Sequence, residues 1–164
     1  MKAMEKTGVL FVCLGNICRS PIAEGIFRKL VKERGLEDRF EVDSAATGPW
    51  HVGEGMDPRA AEVLKKHGAY FEHTARQVTP EDFERFDLIL AADREVERDL
   101  LRLAGPHRGK VRLITEPWGG GEISDPWQGD LWACEETYTE LADLVERWLS
   151  RLHEPQGDPG PGRA

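Results

Sequence analysis

The chain opens on an apolar run, Val9-Leu10-Phe11-Val12, set between Gly8 and a glycine-bearing loop. It is short, β-branched and aromatic, which predicts a buried strand. Ser20-Pro21 then reads as a helix opening, with serine at the N-cap and proline at the first helical position. Beyond it, Ile22, Ala23, Ile26, Phe27, Leu30 and Val31 recur at helical spacing and define one apolar face. Gly35 fits the helix end, and a second strand is expected from Phe40 to Ser44.

The same signals repeat downstream. Asp57-Pro58 opens a helix that Gly68 can close, after a Gly- and Trp-bearing loop over 45–56. Thr79-Pro80 opens a short helix through about Phe86. Leu88 to Ala92 reads as a third strand, followed by a helix from about Asp93 to Leu103. Val111 to Thr115 is the fourth strand. A glycine-rich loop over 116–129 leads into a long helix with Leu141, Leu144, Val145, Trp148, Leu149 and Leu152 on one face. Residues 1–152 are expected to form one domain, and 153–164, rich in Pro and Gly, a disordered tail. Strands alternating with helices predict an α/β fold of three layers, a parallel sheet covered on both faces. Ligands of such sheets sit at the carboxyl ends of the strands, and the first strand ends at Cys13.

Composition narrows the classes. Against 22 Lys and Arg stand 30 Asp and Glu, a net charge of -8 over 164 residues. That balance argues against non-specific nucleic-acid binding and an electrostatic membrane anchor. No apolar run approaches the roughly 18 residues of a spanning helix, and MKAMEKTG lacks the apolar stretch of a signal peptide. Three cysteines are too few for a disulfide scaffold. The expectation is a reduced, cytoplasmic monomer with no nucleic-acid or membrane partner. Asn16 is the single asparagine, beside three glutamines. Amide depletion fits a thermophilic origin and fits drift in base composition equally well.

Candidate chemistry concentrates in Cys13-Leu14-Gly15-Asn16-Ile17-Cys18-Arg19-Ser20. Unpaired N–H groups at a helix start bind anions. Gly15 is expected to let the backbone turn tightly, and Arg19 offers a planar fork for two phosphate oxygens. A thiolate at the floor of that cup gains from the same positive field. Taken singly, Cys13 and Cys18 also suit small packed side chains; the combination of strand, Gly, Arg and helix start in one register is much rarer. No Gly-Lys-Ser/Thr follows, which excludes a Walker A loop. The spacing lacks a second Cys/His pair for zinc, so no metal is expected. Cys13 and Cys18, five apart, also suggest a reversible disulfide that protects against over-oxidation. A thiolate attacking a phosphate monoester needs a proton donor for the leaving oxygen. On spacing alone Asp125, Asp57 and Asp93 all qualify.

VLFVCLGNICRSP resembles the signature of the low-molecular-weight protein tyrosine phosphatases. Asp43-Ser44-Ala45, Trp50-His51-Val52-Gly53, Asp57-Pro58-Arg59-Ala60, His73-Thr74-Ala75-Arg76-Gln77, Phe86-Asp87 and Asp125-Pro126 extend the similarity across about residues 8–152. The resemblance implies a flavodoxin-like fold with four parallel strands and no cofactor. It implies hydrolysis of a phosphotyrosine protein or small aryl phosphate through a phosphocysteine, with inorganic phosphate as product. Cys13 would be the nucleophile and Asp125 the general acid, with Trp127 where the family has Tyr. The loop from Leu14 through Gly15, Asn16, Ile17 and Cys18 to Arg19 would hold phosphate. Asn16, Ser20, Ser44 and His73 would brace it, and Leu14, Ile17, Trp50 and Trp127 would wall the cleft. Asp93 matches a family position whose downstream Asn is Val96 here. A protein arginine phosphatase branch carries Thr where Ile17 stands, so Ile17 favours tyrosine. Arsenate reductases need relay cysteines that 79–98 lacks, and Cys134, in the last helix, reads as structural. A non-catalytic phosphoanion-binding module is the alternative of another class. Arg59 and Arg76 are candidates for a basic rim that would draw in acidic phosphopeptides.

Overall fold

A computed structural model describes residues 6–126 and 129–153. The expected first strand forms as β1, Thr7–Cys13, and β2 (Phe40–Ala46), β3 (Leu88–Ala91) and β4 (Val111–Leu113) join it. All pairings are parallel and the strand order is β2-β1-β3-β4. Central β1 explains its own sequence. Val9, Phe11 and Cys13 face one layer while Leu10 and Val12 face the other, and all are buried, so neither face tolerates polar side chains.

Three helices cover the first face: α1 (Arg19–Glu33), α2 (Pro58–Lys66) and α5 (Leu131–Leu152). Phe27 of α1 stacks edge-on against Phe11 and Phe40, and Trp148 of α5 donates its indole N–H to the Ile114 carbonyl at 2.8 Å. Gly25 allows close packing here, because a Cβ would stand 2.7 Å from the Ala69 carbonyl oxygen. Helices α3 (Pro80–Arg85) and α4 (Arg94–Ala104) cover the second face through Phe83, Val96, Leu100 and Ala104. The fold is therefore the expected three-layer α/β arrangement.

Differences from the sequence reading are local. Strand β2 runs on to Ala46, whose backbone also pairs with the 76–78 segment. Strand β4 stops at Leu113, before the expected Thr115. Asp57 and Thr79 cap their helices as expected, but α1 begins two residues earlier than the Ser20-Pro21 signal. Cys18 occupies its N-cap without a side-chain cap, which leaves the Ser20 hydroxyl for other work. Pro21 is still tolerated, because the first helical N–H groups lack partners in any case. Of the expected tail over 153–164, His153 is bonded to the end of α5 through its N–H and the Leu149 carbonyl, and 154–164 lie outside the described residues.

Candidate active site

Strand β1 delivers Cys13 to the end of the sheet, and the chain then wraps back over the sulfur. Asn16 N–H donates to Cys13 Sγ at 3.2 Å. The wrap depends on Asn16, which is left-handed with φ 60; among the described residues it is the one non-glycine at positive φ. The expectation that Gly15 makes the turn is therefore corrected. Gly15 serves close approach instead: a Cβ there would meet the His51 ring at 2.9 Å. Asparagine tolerates the left-handed region better than other side chains, at a cost on the order of 1 kcal/mol. The surroundings recover that cost, since Asn16 is fully buried and each end of its side-chain amide is bonded.

Carbonyls of the loop are drawn outward. Cys13 O accepts from Thr47 N–H, Leu14 O from Gly48 N–H and Ile17 O from Asp57 N–H, at 2.8–3.0 Å. Asn16 O accepts from the His73 ring at 2.8 Å, and Cys18 O takes the first helical bond from Ile22 N–H. Five carbonyl dipoles that would repel an anion thus point elsewhere, the arrangement in which backbone N–H groups form an anion nest. Burial pushes His73 below its ordinary pKa, so near neutrality its ring is uncharged and Nε2–H serves as donor to Asn16.

Beneath the sulfur runs a directed chain of hydrogen bonds. Glu24, in α1, is 1% exposed and ion-paired with Arg28. Burial raises its pKa, against the opposing bonds from Ser44 and Arg28. With one Glu24 oxygen held by Arg28, the other accepts from Ser44 Oγ at 2.6 Å. Ser44 Oγ then accepts from Asn16 Nδ2, and Ser20 Oγ accepts from the same nitrogen. Arg76 N–H on Asn16 Oδ1 fixes the amide orientation. The proton of Ser20 is left to point at Cys13 Sγ, 3.1 Å away. Glu24 was missed at the sequence level; a Glu four residues before an Arg on a helix reads as an ordinary surface pair.

Arg19 is 6% exposed. Its Nη1 donates to Asp93 Oδ2 at 3.0 Å, and Nη2 lies 3.8 Å from Asp125 Oδ2. Burial opposes its charge, but Cys13, Asp125 and Asp93 outweigh that and hold Arg19 above its ordinary pKa. Asp93 does two jobs, since its other oxygen caps α4 at Val96 N–H. Val96 in place of the family Asn therefore does not remove Asp93 from the site.

A cleft of about 260 Å³ opens over this floor. Cys13, Gly15, Cys18, Arg19 and Asp125 lie at its base and rim. Leu14, Ile17, Trp50 and, unforeseen, His51 form its walls. Trp50 is 66% exposed, with its ring lying over Gly48, which leaves no room for a Cβ there. Asp57 lies outside the cleft, with its carboxylate engaged by Arg59. Trp127 lies outside the described residues. Arg59 and Arg76 do not form the expected basic rim: Arg59 is held by Asp57, and Arg76 by Asp43 and Asp82. Cys134 and burial together push the Cys18 thiol well above its ordinary pKa. All three cysteines are free. Among the described residues no cluster could hold a metal ion, and no helix is long and apolar enough to cross a membrane.

A cysteine sulfur at the floor of an outward-braced loop, with a buried arginine beside it, defines an oxyanion site at the end of an α/β sheet. Comparison with known proteins agrees. The model of the family "low molecular weight phosphotyrosine protein phosphatase" matches residues 8–157. The protein of that name from Schizosaccharomyces pombe is 44% identical over 149 residues, 88% of this chain and 96% of its own. A protein tyrosine phosphatase from Entamoeba histolytica superposes with a TM-score of 0.85 at 31% identity, covering 90% of this chain and 97% of its own. The arginine phosphatase YwlE from Bacillus subtilis reaches 0.81 at 27% identity, covering 93% and 97%. The chain belongs to the low molecular weight phosphotyrosine protein phosphatase family.

Proposed function

We propose that residues 1–152 act as one phosphatase domain that hydrolyses phosphotyrosine in proteins, or small aryl phosphates, through a phosphocysteine. The observation that carries this reading is the convergence of Cys13 Sγ, the Arg19 guanidinium and the Asp125 carboxylate on one cleft. Cys13 attacks phosphorus in line while Asp125 protonates the leaving phenolic oxygen, and a thiophosphate ester forms. Asp125, now a carboxylate, takes a proton from water as that water attacks phosphorus. Inorganic phosphate leaves and the thiolate returns. Loop N–H groups of 14–19 and Arg19 stabilise the charge on the transferring group. YwlE supports the covalent step, since its mutant carries a phosphorylated active-site serine.

Apolar Leu14, Ile17 and Trp50 walls suit an aromatic ring on the phosphate, and the sulfur, 3% exposed at residue level, lies deep. A phosphoserine stem is too short to bring its phosphate that far from a protein surface. Three free cysteines fit a reducing, cytoplasmic setting, and a site built from one chain fits a monomer. Phosphate release from p-nitrophenyl phosphate tests the enzyme reading. Turnover is expected, and its absence at every pH would favour a module that binds phosphoanions without hydrolysis. Cys13→Ser is expected to fold and bind phosphate but not to turn over. A peptide panel carrying phosphotyrosine, phosphoarginine and phosphoserine should show preference for the first.

A further inference from the structure

Asp57 and Arg59 join the two halves of the site. Asp57 N–H donates to the Ile17 carbonyl at 2.8 Å, which ties the start of α2 to the phosphate loop. The Asp57 carboxylate then grips Arg59 three times, accepting from its backbone N–H at 2.8 Å, Nε at 3.0 Å and Nη2 at 2.8 Å. From that fixed base Arg59 Nη1 donates to the Pro126 carbonyl at 3.1 Å and to the Gly129 carbonyl. Gly129 N–H closes on the same Pro126 carbonyl at 2.8 Å. Pro126 immediately follows Asp125. An unbroken bonded path therefore runs from the phosphate loop, through Asp57 and Arg59, to the residue beside the carboxylate.

Charge keeps this path intact. The Arg59 hydrogen bond, opposed by partial burial, holds the Asp57 carboxyl below the usual Asp range, and Asp57 in turn raises Arg59. Such an ion pair would add little to stability if it were exposed. Asp57 is 9% exposed, however, and Arg59 spends Nη1 on backbone carbonyls. A guanidinium has a rigid fork of donors that can face a carboxylate on one side and carbonyls on the other; an ammonium does not.

We propose that Arg59 is a positioning residue that holds Asp125 at the distance from Cys13 needed for proton transfer to the leaving group. The proposal rests on the reading of Asp125 as proton donor. Proton transfer demands hydrogen-bond reach, and displacement of a catalytic group by about 1 Å can cost about 100-fold. Arg59 does not line the cleft, so its effect should appear only where the acid matters.

The test compares kcat/KM for p-nitrophenyl phosphate, whose phenolate leaves readily, with that for phenyl phosphate, whose phenolate does not. The proteins are the parent chain, Arg59→Gln, Arg59→Lys, Asp125→Asn and the double Arg59→Gln/Asp125→Asn. Inhibition by inorganic phosphate reports the state of the phosphate loop. Arg59→Gln is expected to lose about 10-fold more on phenyl phosphate than on p-nitrophenyl phosphate, with phosphate inhibition kept within about two-fold. Arg59→Lys should show the same selective loss, and reads out the proposal should the glutamine variant fail to fold. Added to Asp125→Asn, the Arg59 substitution should cost nothing more on phenyl phosphate. Equal losses on both substrates, full additivity with Asp125→Asn, or weakened phosphate inhibition would overturn the positioning role. A flat leaving-group response in Asp125→Asn itself would instead remove the acid reading, and the proposal with it.

Discussion

The Ser44 hydroxyl meets the Glu24 carboxylate at 2.6 Å in the buried layer under the phosphate loop. That contact fixes the Ser44 proton, while Arg76 N–H on Asn16 Oδ1 makes the Asn16 amide nitrogen the donor to both serines, which leaves the Ser20 proton for Cys13. Ser20→Ala removes that proton and leaves Asn16 its bond to Ser44. Hydrogen bonds to charged groups are worth about 1.5–3 kcal/mol, so alkylation of Cys13 by iodoacetate at pH 6 should slow by about 10-fold or more. An unchanged alkylation rate would show that the Ser20 proton is not directed at sulfur.

Asp93 can be divided by one substitution. Asn caps helices about as well as Asp, so Asp93→Asn should leave thermal stability within about 1 °C or 2 °C of the parent. It removes the charge that fixes Arg19 Nη1 at 3.0 Å. Inhibition by inorganic phosphate should weaken and kcat/KM should fall by about 10-fold. Undiminished phosphate affinity would mean that Arg19 holds its place without Asp93.

For Asp125→Asn the loss in kcat/KM should lie within the roughly 10²–10⁴-fold range of general acid catalysis on phenyl phosphate, and be much smaller on p-nitrophenyl phosphate. A leaving group that is already stable as an anion has little need of the proton. Comparable losses on the two substrates would make Asp125 a structural residue.

His73 gives the site a pH dependence of definite sign. Its folded pKa lies below the ordinary value of about 6.5. As pH falls, the unfolded chain therefore takes up the proton first. The contribution of His73 is present above about pH 6.5 and is lost as pH falls toward its folded pKa. The melting-temperature gap between the parent and His73→Gln should narrow from pH 7.5 to pH 5.5. A gap that stays constant over this range would show that no such linkage exists.

Oxidation tests the expected Cys13–Cys18 disulfide. Peroxide oxidises the Cys13 thiolate to a sulfenic acid with release of hydroxide, and Cys18 must then attack that sulfur as thiolate and expel a second hydroxide. Cys18 has a raised pKa through Cys134 and its burial, so capture should be slow at neutrality and gain as pH rises. Peptide mapping should find a growing disulfide share between pH 6 and pH 9. Only sulfinic or sulfonic Cys13 at every pH would remove the idea.

The sequence by itself determined the elements and brought Cys13, Arg19 and Ser20 into one loop, while three aspartates stayed open as proton donor. Val9-Leu10-Phe11-Val12 could only be a strand covered on both faces, and Asp57-Pro58 and Thr79-Pro80 announced their helices, because these are local effects of burial, capping and fixed φ. Cys13, Arg19 and Ser20 were legible for the same reason, as neighbours in one loop. Contacts distant in sequence were decided only by the tertiary structure. Glu24 looked like half of a surface pair until β2 brought Ser44 against it. Arg59 and Arg76 looked like free rim charges until Asp57, Asp43 and Asp82 claimed them. Gly15 looked like the turning residue, yet Asn16 turns, because its side chain finds Ser20, Ser44 and the Arg76 amide around it. A local motif states which groups are present; the direction of a hydrogen bond, and the burial that gives it weight, depend on what the rest of the chain places opposite.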